Sequence, residues 1–132
     1  MKYVPQAAPF LMVDTLLHTD EQQTSCSLTI QADNILLTTD GYFSEAGLIE
    51  SMAQTAAAGT GYKAATQNTA PPVGFIGQVK QCRIMQLPKV GDTIVCTTTT
   101  TQQVMNASIV SATVSLKDAI IAQAEFKIFL QE

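Results

Sequence analysis

Apolar and polar positions alternate with period two through most of this chain, and one stretch breaks the rhythm. Thr24, Cys26, Leu28 and Ile30 alternate with Ser25, Ser27 and Thr29. Successive strand side chains point to opposite faces, so the pattern predicts a strand with one buried face. The same alternation sets Val110, Ala112, Val114 and Leu116 against Ser111, Thr113 and Ser115, and Ala122, Ala124, Phe126, Ile128 and Leu130 against Gln123, Glu125 and Lys127. Lys117-Asp118 turns the chain between these two runs. Residues 9–18, PFLMVDTLLH, lie between a proline and the polar TDEQQ and suit a strand or a short helix leading into one. Residues 19–21 then close a hairpin onto the next strand. Residues 73–84, VGFIGQVKQCRI, read as a strand in which Gly74 and Gly77 mark a bulge or the close approach of another backbone or a ligand. A turn at 87–92 leads into the threonine-rich strand 93–102, threonine being suited to a pleated, half-buried surface.

Residues 44–63, SEAGLIESMAQTAAAGTGYK, follow helical spacing instead. Ser44 offers an N-cap hydroxyl, and Glu45 a negative charge at the positive end of the helix. A helix of about 20 residues spans roughly 30 Å, and this one should fade through residues 64–70, before Pro71-Pro72, which cannot continue it. One face carries Ala46, Gly47, Glu50, Ala53, Gln54, Ala57, Ala58 and Gly61, with Glu50 and Gln54 its only long polar groups. The opposite face holds Leu48, Ile49, Met52, Thr55, Ala56 and Gly59. Such a helix has no solvent side and is expected to be wrapped by other structure. Its many small residues suit close cover by a second copy, so a dimer is expected. An unpaired carboxylate is costly to take out of water, so Glu50 is expected to be partnered, held protonated or kept for chemistry. The preceding residues 31–43, QADNILLTTDGYF, have no period and carry the turn signals Asp33-Asn34 and Asp40-Gly41, and so read as a loop. Two strands, one apolar helix and about four more strands make an α+β class: a mostly antiparallel sheet curled round one helix.

Composition narrows the function classes. At 132 residues the chain suits one core, and we read a single domain over residues 1–132. A net charge of -4 with seven Lys plus Arg, none clustered, lacks the cations of a nucleic-acid groove. No apolar run approaches the roughly 20 residues of a membrane span. The opening MKYVPQAAPF has no apolar signal core, which predicts a cytoplasmic protein with no membrane partner. Cys26, Cys82 and Cys96 are odd in number, far apart and inside strand-like stretches, as expected of buried free thiols. They have no CxxC spacing and no histidine partner, so neither a metal site nor a thiol nucleophile is expected, and no cofactor is implied.

Four strings resemble the hotdog-fold acyl thioester dehydratases, which act on 3-hydroxyacyl groups carried by acyl carrier protein. PFLMVDTLL at 9–17 is similar to the family's opening PFLLVD, and LIESMAQTAAA at 48–58 to the IEAMAQ that starts its central helix. VGFIGQVKQCRI is similar to the strand after that helix, and VGDTI at 90–94 stands where the family has a PGD turn. The loop DNILLTTDGYF with the following AGLIES resembles a divergent branch associated with aryl-polyene pigment synthesis, whose loop has DNPL and DG. The resemblance covers almost the whole chain. It implies a hotdog fold, an antiparallel sheet of about six strands wrapped round one long central helix. It also implies a dimer with two tunnels at the subunit interface, each combining an acid from one subunit with a histidine from the other. The family's acid falls on Glu50. Its backbone oxyanion donor falls on Gly47, although the usual PG lies two residues further from the acid than Gly47 does.

The chain departs from that family in one respect that bears on chemistry. The catalytic histidine belongs to a GHFP string upstream of the acid, and at the corresponding spacing this chain has Ile35-Leu36-Leu37-Thr38. Its sole histidine, His18, ends the first strand and is expected at the surface. Dehydration requires loss of the C2 proton, protonation of the leaving hydroxyl and donors to the thioester oxygen. Glu50 can act as acid or base. Gln54 is read as an orienting, dimer-contact or substrate-binding residue, and Asn34, Asp33 and Tyr42 are the loop's polar candidates for the missing histidine's place. Three readings stay open: a dehydratase of fatty acid or polyene biosynthesis using Glu50 with a water or a loop group; a subunit that relies on a related chain's histidine; and a silent acyl-thioester binder. An acidic carrier protein would need cations to dock on, for which Lys63, Lys80, Arg83 and Lys89 are the candidates.

Overall fold

The structure, a computed structural model, describes residues 1–131. Its elements in chain order are β1 (Thr15–Thr19), β2 (Gln23–Thr29), α1 (Glu45–Thr66), β3 (Gly74–Ile84), β4 (Thr93–Val104), β5 (Ala107–Leu116) and β6 (Ala119–Leu130). The strands form one sheet in the order β1-β2-β4-β5-β6-β3, with every neighbouring pair antiparallel. The sheet curls around α1, which lies over β2, β4 and β5. This is the hotdog architecture that the residue strings imply.

Period-two alternation is what closes this layer. Cys26, Leu28, Ile94, Cys96, Val110, Ala112, Val114, Ala122, Ala124 and Phe126 all turn inward and are buried. All but Cys26 pack against Leu48 and Met52 of α1 and against Phe43, which precedes it, while Cys26 joins Val4, Val13 and Ala58 in a second cluster. Each large apolar side chain so buried contributes about 1.5–3 kcal/mol. The intervening positions face outward as a hydroxyl lattice, with Ser25 bonded to Thr97 at 3.0 Å and Thr29 to Thr93 at 2.9 Å across β2 and β4. The β5–β6 turn falls on Lys117-Asp118, both at positive φ, 51° and 68°, which is the backbone a two-residue hairpin requires.

Three features differ from the sequence reading or refine it. Residues 9–14 do not join the sheet as a strand. The ladder begins at Thr15, and Met12 and Val13 are buried. The Met12 amide is instead taken by the side chain of Gln54, at 2.7 Å. Gly77, not Gly74, carries a bulge in β3, where the register passes from Ile76 opposite Ile128 to Gln78 opposite Lys127, and a second shift falls between Lys80 and Arg83. A Cβ at Gly77 would lie 2.5 Å from the Phe129 ring. The glycines late in α1 serve the chain's own packing, Gly61 lying against the Tyr3 backbone and Gly59 against Thr24. What remains partly open on α1 is a stripe through Ile49, Ala53, Ala56, Ala57 and Thr60.

β3 is the sheet's far edge and pairs with β6 only. Val79 stands opposite Phe126 and Ile76 opposite Ile128, so both share the helix-side face. They are nonetheless 38% and 40% exposed. An apolar, helix-side surface thus ends uncovered at a long edge strand.

Candidate active site

The start of α1 is tied to the loop before it. Ser44 is extended (φ -73, ψ 166), and its Oγ accepts the Gly47 N–H at 3.1 Å. Its own N–H donates to the Leu36 carbonyl at 2.9 Å, while the Phe43 N–H donates to the Pro88 carbonyl at 2.7 Å. The loop and the 87–92 turn therefore set where the helix begins. Gly47 is buried against the Phe43 ring, and a Cβ there would sit 2.5 Å from a ring carbon. Because the Gly47 amide serves the cap, the first two helical amides, those of Glu45 and Ala46, are left without a partner among the described residues. The positive end of the helix presents these amides.

Glu50 lies about one turn further in and is half-buried. Its Oε1 accepts a hydrogen bond from Gln54 Nε2 at 2.9 Å. Gln54 is buried, at 1% exposure. Its Nε2 also donates to the Phe10 carbonyl at 3.0 Å, and its Oε1 accepts the Met12 N–H at 2.7 Å. Asn34 reaches the same segment, its Nδ2 lying 3.4 Å from Met12 Sδ, while its Oδ1 caps the Leu36 N–H at 2.8 Å. Glu50, Gln54 and Asn34 are thus joined through Met12, and Gly47 lies one helical turn before Glu50. Neither Met12 nor Phe10 stands out as polar or titratable, because they contribute backbone groups. Their one signal is membership of the PFLMVD string.

At the sequence spacing of the family's histidine the chain carries packed apolar residues. Leu36 and Leu37 are partly buried against the main core, whose neighbours include Ile49 and Ala53. Asp33 and Tyr42 are exposed and have no hydrogen bond to Glu50. The Tyr42 N–H is bound to Thr38 Oγ1 at 3.1 Å. His18 sits beside the β1–β2 turn, with its Nε2 on Asp20 Oδ2 at 2.8 Å. The Asp20 carboxyl is held at about 2 by the Gln22 N–H, by His18 and by the Gln23 N–H. Lys63, near the other end of α1, pairs with Glu21 of that turn at 3.2 Å. At 1.5 Å per residue that end is about 20 Å from Glu50, so His18 belongs to the wrong end of the helix.

The four cations considered for docking do not gather in one place. Lys63 is on the helix end, Lys80 pairs with Glu125 at 3.7 Å across β3 and β6, Arg83 follows on β3, and Lys89 is in the turn bridged to Tyr42. Two surface concavities of the chain lie away from Glu50: one on the outer sheet face beside Gln81 and Glu125, the other between Tyr3 and the end of α1. Among the described residues no cluster of His, Cys, Asp and Glu could hold a metal ion. Among the described residues no helix is long and apolar enough to cross a membrane.

Comparison with known proteins places the fold. The dehydratase heterocomplex ApeI:P from Xenorhabdus doucetiae superposes with a TM-score of 0.90 over 98% of this chain and 89% of that chain, at 16% identity. The smu.793 protein from Streptococcus mutans UA159, bound to acetyl CoA, gives 0.74 over 97% and 95%, at 14% identity. A hypothetical thioesterase from Streptococcus pneumoniae TIGR4, as a mutant, gives 0.71 over 89% of each chain, at 12% identity. At such identities these likenesses establish the fold alone. No curated protein matches the chain in sequence. The family model described as ApeP-like, ApeP dehydratase, matches residues 1–132, from end to end, and the chain belongs to the ApeP-like dehydratase family.

Proposed function

We propose that this protein is one half of a two-chain 3-hydroxyacyl-thioester dehydratase, acting on acyl groups carried by acyl carrier protein in fatty acid or polyene synthesis. Glu50 supplies one of the two proton-transfer groups, and a histidine from a related hotdog chain supplies the other. The observation that carries this reading is a half-buried carboxylate held near the start of α1, with leucine side chains where the family's histidine would stand. Glu50 protonates the leaving hydroxyl or takes the C2 proton, and the histidine performs the complementary transfer. The Glu45 and Ala46 amides at the start of α1, left free because the Gly47 amide is held by the Ser44 cap, offer donors to the thioester oxygen as negative charge develops there. The reaction releases water and leaves a conjugated enoyl thioester, with no cofactor needed.

Two observations favour the two-chain form over a chain active alone. The uncovered Ile76 and Val79 on the β3 edge, with the partly open stripe on α1, form a surface that a second hotdog chain would cover. The ApeI:P protein, similar to this chain in fold, is described as a heterocomplex. The test is absorbance-monitored formation of the enoyl thioester, first with the chain alone and then with a histidine-bearing hotdog partner. Turnover is expected only in the mixture, and Glu50→Gln in this chain is expected to lower it by about 100- to 10,000-fold. A mixture whose rate is unchanged by Glu50→Gln overturns the assignment of Glu50. Full turnover by the chain alone overturns the need for a partner.

A further inference from the structure

The outer face of the sheet, mostly hydroxyls, turns apolar at one corner. Phe126 is buried against the helix side, so alternation along β6 turns Gln123, Glu125, Lys127 and Phe129 outward. Phe129 stands opposite Ala107 on β5, Ala107 opposite Val104 on β4, and on its other side Phe129 stands opposite Phe75 on β3. Directly opposed residues share a face, so these four make one apolar row across four strands. The Phe75 and Phe129 rings stack with centroids 6.5 Å apart, and the Phe129 ring occupies space that the Gly77 bulge leaves free of a side chain. Phe75 and Val104 are exposed, as is Val73 just before β3, and Met105 at the tip of the β4–β5 hairpin is 93% exposed.

The same face is rich in cations. Lys127 holds its Nζ 5.5 Å from the centre of the Phe129 ring and has no acidic partner among the described residues. Lys80 and Arg83 stand opposite Glu125 and Gln123 and so point outward as well. Three of the chain's seven Lys and Arg thus share this face, while of its eleven acids only Glu125 falls in β3, β4, β5 or β6. We propose that this corner docks on an anionic lipid bilayer, with Met105, Val104, Val73 and Phe75 entering the headgroup region and Lys127, Lys80 and Arg83 meeting the lipid charges. The sheet curls round α1, so its outer face is convex. A bilayer takes up a convex apolar tip without a matching cavity, whereas a protein partner would need one shaped to it. The lack of an apolar span, which predicts no membrane partner, bears on crossing a bilayer and not on resting against one. The corner also lies on the opposite face from Ile76 and Val79, so a second hotdog chain and a bilayer can be held together.

The test is co-sedimentation of the full-length chain, alone and combined with its hotdog partner, with phosphatidylcholine vesicles made with and without phosphatidylserine, in about 0.1 M salt. Binding is expected to the anionic vesicles only. It should fall about tenfold or more in Met105→Asp, in Lys127→Glu, and when salt is raised to about 1 M. Met105 has φ 56°, a backbone that aspartate tolerates better than most residues, so Met105→Asp keeps the turn, and an unchanged thermal melt checks this. Absence of the chain from the anionic vesicle pellet overturns the proposal, as does binding that both substitutions and the added salt leave unchanged. Binding by the isolated chain that is lost in the complex gives the face to the partner chain and overturns it too. If vesicles are not bound while an acidic carrier protein shifts the backbone NMR signals of Phe75, Lys127 and Phe129, the face is a protein docking site instead.

Discussion

A single missing methyl group sets the start of the central helix. Phe43 is fully buried and its ring lies where a Gly47 Cβ would be, 2.5 Å from the nearest ring carbon. A ring packed on all sides cannot swing away, so the added carbon forces the helix and the loop apart. Gly47→Ala is expected to cost about 1–3 kcal/mol, the usual penalty for overpacking a filled site, and a thermal melt indistinguishable from that of the unmutated protein would show that the ring has room to move. Gly47 was legible as a candidate only through its place in a family pattern, where it stood for an amide donor. Its amide is in the Ser44 cap, and its lack of a side chain is what the structure uses. Glu50 was legible from the residues alone, because a carboxylate in a helix of alanine, glycine and leucine is conspicuous. Its tie to the backbone of Phe10 and Met12 was not, because those contacts involve N–H and C=O groups that every residue has.

Among the elements, the strands were the most readable, because their alternation is enforced by the core over which they lie. The hydroxyls on their outer face and the apolar groups inside made β2, β5 and β6 plain. β1 was less so: PFLMVDTLLH has strand-forming residues throughout, yet only its last part pairs in the sheet, the first part being drawn along α1 by Gln54. Cys26 and Cys96 face each other in register across β2 and β4 and lie beneath Ser51 and Thr55. Burial pushes both thiols up to about 11, more than the nearby hydroxyls pull them down. At pH 8 they are therefore protonated as well as enclosed. Cys82, expected to be buried like the other two, is instead exposed, because β3 is an edge strand. A thiol reagent is expected to modify one cysteine per native chain at pH 8 and three once the chain is unfolded. Rapid reaction of all three without denaturant would mean that the sheet opens beneath the helix.

For the whole molecule, the decisive feature is what the fold leaves uncovered. A sheet of six strands has two edges, and the β3 edge is long, carries Phe75, Ile76 and Val79 in exposed positions, and pairs on one side only. Val79→Asp is expected to abolish association with a second hotdog chain while changing the isolated chain's melting temperature little, since the side chain is 38% exposed before partnering. Sedimentation of the mixture reads this directly. A variant that still co-sediments would place the interface elsewhere on the molecule.

The sequence by itself determined the element order, the single apolar helix, the β1–β2 and β5–β6 turns and the singular carboxylate, because these follow from local periodicity, turn chemistry and the cost of burying charge. Strand order was decided only by tertiary structure. β3 follows the helix in the chain yet lies at the far edge beside β6, a pairing between segments far apart in sequence that no local pattern encodes. The same holds for the site. Glu50 is marked by its own neighbours along the helix, but the hydrogen bond it accepts comes from a Gln54 that also meets Phe10 and Met12, and that meeting depends on how residues 9–14 cross the helix once the core has closed.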